Sequence, residues 1–92
     1  MQHAFSRIAH REHAVIVAAF NVSLFKAQGC ELEARESEEG DAIYAVKPAA
    51  GGPATLRIVQ RGRDDWFVYD ERSRCIAVGT LRDVLSIAIP PR

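Results

Sequence analysis

His3, His10 and His13 are the side chains best suited to hold a metal, and all lie in the first thirteen residues. On a helix His3 and His10 share a face to within about 20°, but they stand roughly 10 Å apart along the axis at ~1.5 Å per residue. One ion cannot bridge that gap. His10 and His13, at i and i+3, could share an ion, with Glu12 turned elsewhere. Zinc would still need ligands from further along the chain, where the candidates are surface glutamates. The expectation is therefore no metal and no cofactor. Cys30 and Cys75 form neither a metal-ligand spacing nor a C-x-x-C redox pair. Each falls in a strand-like segment, where a small buried thiol in a reducing, cytoplasmic setting is expected.

Catalysis finds little support in the remaining nucleophiles and carboxylates. None of Ser6, Ser23, Ser37, Ser73 and Ser86 sits in a G-x-S-x-G elbow, and neither cysteine has a histidine near it in sequence. Asp64-Asp65 and Asp70-Glu71 flank turns, where carboxylates cap backbone amides without doing chemistry. The Gly51-Gly52 loop lacks the lysine and hydroxyl that follow the glycines of a phosphate-gripping loop. The sequence does not read as an enzyme.

Recognition chemistry is better represented. Arg57, Arg61 and Arg63 lie near Trp66, Phe67 and Tyr69, followed by Arg72 and Arg74. Arginines and aromatics on an open sheet can stack bases and hold phosphates, so an RNA- or single-stranded-DNA-binding surface is one reading. Against it, Asp64, Asp65, Asp70 and Glu71 are interleaved and cancel much of the field. A chain with 12 basic and 12 acidic residues also lacks the basic excess of a nucleic-acid binder. Glu31 to Asp41 holds six carboxylates in eleven residues, which admits the reverse idea of a nucleic-acid-mimicking inhibitor; solvation of an edge strand is the plainer account. Residues 1–46 carry a net charge of −3 and residues 47–92 of +3, which cross-strand pairing of acidic and basic neighbours explains.

The elements that must position these groups follow from periodicity. Residues 1–92 read as a single domain, near the lower end of what folds unaided. Residues 4–28 predict one long helix, rich in alanine, free of proline and closed by Gly29. Arg7 and Arg11 before the apolar run Ala14–Phe25, with Cys30 after it, outline a lipoprotein signal. Asn21, Ser23, Lys26 and the bulky Gln28 argue against that outline, and a run of about a dozen residues is too short to span a bilayer. At 100° per residue Phe5, Ala9, Ile16, Val17, Phe20 and Leu24 share one side, while Val15, Ala18, Val22 and Phe25 form a second stripe opposite.

After Gly29 the period changes to two. Cys30, Leu32 and Ala34 alternate with Glu31, Glu33 and Arg35, and further strands follow at Ala42–Lys47, Ala54–Gln60, Asp65–Asp70 and Arg74–Gly79. Pro48 to Pro53 makes the most flexible loop. Thr80 and Asp83 fit a capping box at the head of a short helix carrying Leu81, Val84, Leu85 and Ala88, which Pro90-Pro91 ends. The predicted architecture is α+β in two layers: a long N-terminal helix, a five-stranded antiparallel meander and a short C-terminal helix. Leu32, Leu56 and Ile58 should lie beneath Ile16, Phe20 and Leu24.

The sheet has more apolar surface than two helices on one side can cover. Trp66 and Val68 point one way and Phe67 and Tyr69 the other, and the pairs Ile43/Tyr44 and Ile58/Val59 repeat the pattern. The expected function is thus non-enzymatic protein binding or assembly in the cytoplasm, with a homodimer as the least demanding cover for that surface. Val15, Val22 and Phe25 on the helix, and Val59, Arg61, Arg63, Trp66 and Tyr69 on the sheet, are the candidate interaction residues.

Overall fold

A computed structural model of the chain describes residues 10–91. Helix α1 spans His10–Asn21, a single turn α2 spans Leu24–Ala27, and strands β1 to β5 span Cys30–Glu36, Ala42–Pro48, Leu56–Arg61, Asp65–Asp70 and Cys75–Gly79. Helix α3, Leu81–Ala88, closes the described chain. The strands form one antiparallel sheet in the order β1-β2-β3-β4-β5, so every connection joins neighbours. This is the α+β meander expected from the change of period at Gly29, where φ of +84° lets the chain leave α2 and enter β1.

Both helices pack on one face of the sheet. From α1, Ile16 and Phe20 are buried; from α3, Val84, Leu85 and Ala88; and Ile89 follows just beyond. Beneath them lie Ala42, Tyr44 and Val46 of β2, Leu56 and Ile58 of β3, Trp66 and Val68 of β4, and Ala77 of β5. Leu32 is half-buried against this cluster. Period-two alternation alone explains the set, because each of these strand residues is paired across the register with another of the same face, Tyr44 with Ile58 and Ile58 with Val68.

Two details depart from the sequence expectation. The long helix predicted over 4–28 is interrupted at Val22–Ser23; its first six residues lie outside the described residues. Ser23 is the cause. Its hydroxyl donates to the Phe20 carbonyl at 2.7 Å, and its oxygen accepts from the Lys26 amide at 3.4 Å, so one side chain ends α1 and caps α2. Ser23 is itself buried and bridges to Pro91 in the C-terminal segment. The break turns Leu24 outward, 54% exposed rather than in the core, and Phe25 becomes the half-buried residue packed against the cluster. The second departure is Cys75, which is exposed rather than buried.

A bulge in β5 explains Cys75. Val68 pairs with Ala77 but Tyr69 pairs with Cys75, which leaves Ile76 as the extra residue. Without it, Cys75 would share the covered face with Ala77. The bulge places it beside Tyr69 on the other face. At the opposite edge, β1 carries Glu31, Glu33, Arg35 and Glu36.

The C-terminal helix forms as its residues predict. The Asp83 amide donates to the Thr80 hydroxyl at 3.3 Å and the Thr80 amide to the Asp83 carboxylate at 3.4 Å, a complete capping box. Gly79 must precede it: φ is +154°, and a Cβ there would stand 3.1 Å from the capping oxygen of Asp83.

Candidate functional site

The face of the sheet turned away from the helices brings several candidate residues together. Register sets its rows. Arg35, Ile43, Val59, Phe67 and Val78 are paired in succession across all five strands, and Glu33, Ala45, Arg57, Tyr69 and Cys75 form the next row. Glu31 pairs with Lys47 beyond the second row, and Arg61 with Asp65 beyond the first. An apolar stripe of Ile43, Val59, Phe67 and Val78 therefore crosses four strands, and Val78 at its end is 59% exposed.

Two arginine side chains lie over aromatic rings of this face. The Arg57 guanidinium sits 5.3 Å from the centre of the Tyr69 ring, and that of Arg61 5.4 Å from Phe67. The two rings are nearly coplanar in orientation, 10° apart with centroids at 6.5 Å. Arg57 also donates to Ser73 at 2.8 Å and Arg61 to the Tyr69 hydroxyl at 3.4 Å. Each contact lowers the freedom of a long side chain and shields the ring it covers. Carboxylates interleave with these cations: Glu33 lies 3.7 Å from Lys47.

Not every predicted residue reaches this face. Val59, Arg61 and Tyr69 do. Trp66 does not: it lies on the covered side, 0% exposed, and so offers no ring to a ligand on the open face. Arg63 is exposed in the β3–β4 turn, where its carbonyl accepts from Gln60. Val15 and Val22 remain exposed on the helical side, at 45% and 60%. Ile43, Arg57 and Phe67, which the sequence places among its surplus apolar and arginine–aromatic groups, join this face, and Val78 is the row member that sequence reasoning missed although alternation identifies it.

On the helical side, a cleft of about 390 Å³ between α1 and α3 is lined by Val15, Trp66, Leu81 and Leu85. The indole N–H of Trp66 is buried without an acceptor among the described residues, a group whose desolvation typically costs about 1–3 kcal/mol. Beside α1, Nδ1 of His13 shares a 2.6 Å hydrogen bond with the Tyr44 hydroxyl. Burial, with Glu12 nearby, pushes the Tyr44 phenol well above its ordinary pKa. Cys75 stands on the far strand β5, three strand spacings or roughly 14 Å from the Tyr44 strand. His3 lies outside the described residues, as does the side chain of His10. Among the described residues no three His, Cys, Asp or Glu side chains cluster to hold a metal, and no helix is long and apolar enough to cross a membrane.

The acidic run from Glu31 to Asp41 divides between two roles. Glu31 and Glu33 join the open face, while Asp41 accepts from the Gly62 amide at 3.3 Å and so ties the β1–β2 turn to the β3–β4 turn. Asp70 plays a similar part at the other end. It accepts from the Arg74 and Arg72 amides at 2.9 Å and from the Arg74 side chain at 3.0 Å, and these bonds, led by the Arg74 amide, hold its pKa below the ordinary carboxylate value. No known protein family, no curated protein and no solved structure matches this chain.

Proposed function

We propose that this protein is a non-catalytic binding module that docks another protein chain on the open face of its sheet. The carrying observation is the stripe Ile43–Val59–Phe67–Val78, which crosses four strands with no helix of the described residues over it. Three of its residues are half-buried and Val78 is exposed, and apolar surface continuous over several strands marks an interaction site. The charge around it favours a protein over a polyanion, because Arg35, Lys47, Arg57 and Arg61 share the face with Glu31, Glu33 and Asp65. The free thiols Cys30 and Cys75 fit a reducing, cytoplasmic setting.

A single-stranded nucleic acid is the second reading, favoured by the Arg57–Tyr69 and Arg61–Phe67 pairs. Those guanidinium groups, however, already cover the rings that a base would need. One comparison tests both readings. Proteins co-purified with the parent from its own cells should be lost with Val59→Glu and Phe67→Glu and kept with Val22→Glu. Mixed single strands should not bind at ~50 mM salt. Strand binding that weakens steeply with salt, or partners retained by both sheet variants, refutes the protein-docking face.

A further inference from the structure

We propose that the cleft between α1 and α3 binds a small uncharged molecule, one ring-sized apolar body bearing a carbonyl or a similar hydrogen-bond acceptor. This site lies across the sheet from the docking face and stands independently of it.

The indole of Trp66 sets the chemistry. Trp66 lines the cleft, its ring is 0% exposed, and its N–H meets no acceptor among the described residues. An indole nitrogen only donates, so the bond open to it is with an acceptor that the described side chains do not supply. Folding has already stripped water from this donor. An arriving acceptor therefore gains the bond without desolvating the N–H again, and the bound form satisfies a group that the free form leaves unpaired. Because the ring is covered, the acceptor reaches it only by parting the side chains above, so the ligand selects a slightly opened cleft.

The rest of the lining decides the body and the charge of the ligand. Val15, Leu81 and Leu85 supply apolar walls from both helices, and Val15, 45% exposed, leaves the mouth open to solvent. At about 390 Å³ the cleft is near the small end of the ~300–1,000 Å³ typical of ligand sites, which suits a single ring. Glu12 and Asp64 set two carboxylates against the guanidinium of Arg82. That balance turns away an anionic acceptor and favours a ketone or an amide. An ammonium would suit the carboxylates but brings no acceptor to the indole.

The single tryptophan supplies the test, because the full chain gives one indole peak in a proton–nitrogen correlation spectrum. Cyclohexanone, cyclohexanecarboxylate and cyclohexylammonium share a ring and differ in the group it carries. Cyclohexanone should move the indole proton downfield, as a new acceptor does, and saturate with a Kd of about a millimolar, the strength expected of so small a ligand. The backbone amides of Val15 and Leu81 should follow the same curve. Cyclohexanecarboxylate should bind at least about tenfold more weakly, and cyclohexylammonium should leave the indole peak in place. Val15→Phe, which fills the mouth from an exposed helix position, should abolish saturable binding; Val22→Phe should not, since Val22 lies outside the lining. The titrations of the parent decide the matter even if Val15→Phe does not fold. An indole peak unmoved by cyclohexanone, or one shifted equally by the ammonium, overturns the proposal. So does a carboxylate that binds as tightly as the ketone, or a response carried by Ile43 and Phe67 of the open face. Any of these results leaves the docking face to be judged by its own co-purification comparison.

Discussion

Replacing Phe20 with alanine tests whether α1 is seated on the sheet as described. Among the described side chains of α1, Ile16 and Phe20 are the buried ones, one turn apart on the same face, so Phe20 supplies much of the helix's anchoring. Phe-to-Ala truncation at such a site removes about 3–5 kcal/mol through lost transfer energy and an incompletely collapsed cavity. A domain of 92 residues holds roughly 5–14 kcal/mol in total, so the substitution takes a large fraction of it. At about 4–8 °C per kcal/mol for this size, the melting midpoint should fall by at least roughly 12 °C. Thermal circular dichroism, read alongside the emission of the single tryptophan, Trp66, measures the shift. Leu24→Ala supplies the contrast, because an exposed side chain free of such packing should change stability by no more than ~0.5 kcal/mol. A Phe20→Ala midpoint within about 2 °C of the parent, or a Leu24→Ala loss equal to it, would refute the assignment of the helix face.

Two further perturbations probe buried polar groups. Gln60 is fully buried and accepts from the Ala42 amide while donating to the Arg63 carbonyl, both at 3.3 Å; Gln60→Leu should cost about 1–3 kcal/mol in urea unfolding, and a neutral result would show that those groups find other partners. The raised pKa of Tyr44 means that the folded protein keeps a proton that the unfolded chain loses near pH 10. The stabilisation is fully present below that pH and is lost as pH rises towards the folded-state value. Unfolding measurements should therefore show stability declining above about pH 10 in the parent and a shallower decline in Tyr44→Phe; parallel profiles would rule out Tyr44 as the cause.

Strand parity was readable from the residues themselves. Tyr44, Ile58 and Val68 on one side and Ile43, Val59 and Phe67 on the other need nothing beyond alternation, and Trp66 falls inward by the same rule. The short capping box was equally plain, since Thr80 and Asp83 satisfy each other locally. The interruption of α1 was not. Ser23 lies in a stretch whose composition suits a continuous helix, and its hydroxyl decides the matter only through the Phe20 carbonyl and the Lys26 amide. Cys75 was misplaced because a bulge shifts parity by one residue, and Ile76 carries no sequence mark of being the extra one. The arginines over Phe67 and Tyr69 likewise depend on register, which pairs Arg57 with Tyr69 directly and sets Arg61 diagonally from Phe67.

The margins of the sheet bear on what happens at high concentration. A strand laid against β1 would have to align beside Glu31, Glu33, Arg35 and Glu36, and one laid against β5 would meet a five-residue segment whose ladder is broken at Ile76. Both ends thus resist the addition of strands, the route by which small β-rich domains grow into fibres. Apolar contact is left to the broad face, where Ile43, Val59, Phe67 and Val78 line up across the strands. Crowding should therefore not extend the sheet strand by strand, and the soluble fraction should stay clear where an open-ended sheet would cloud.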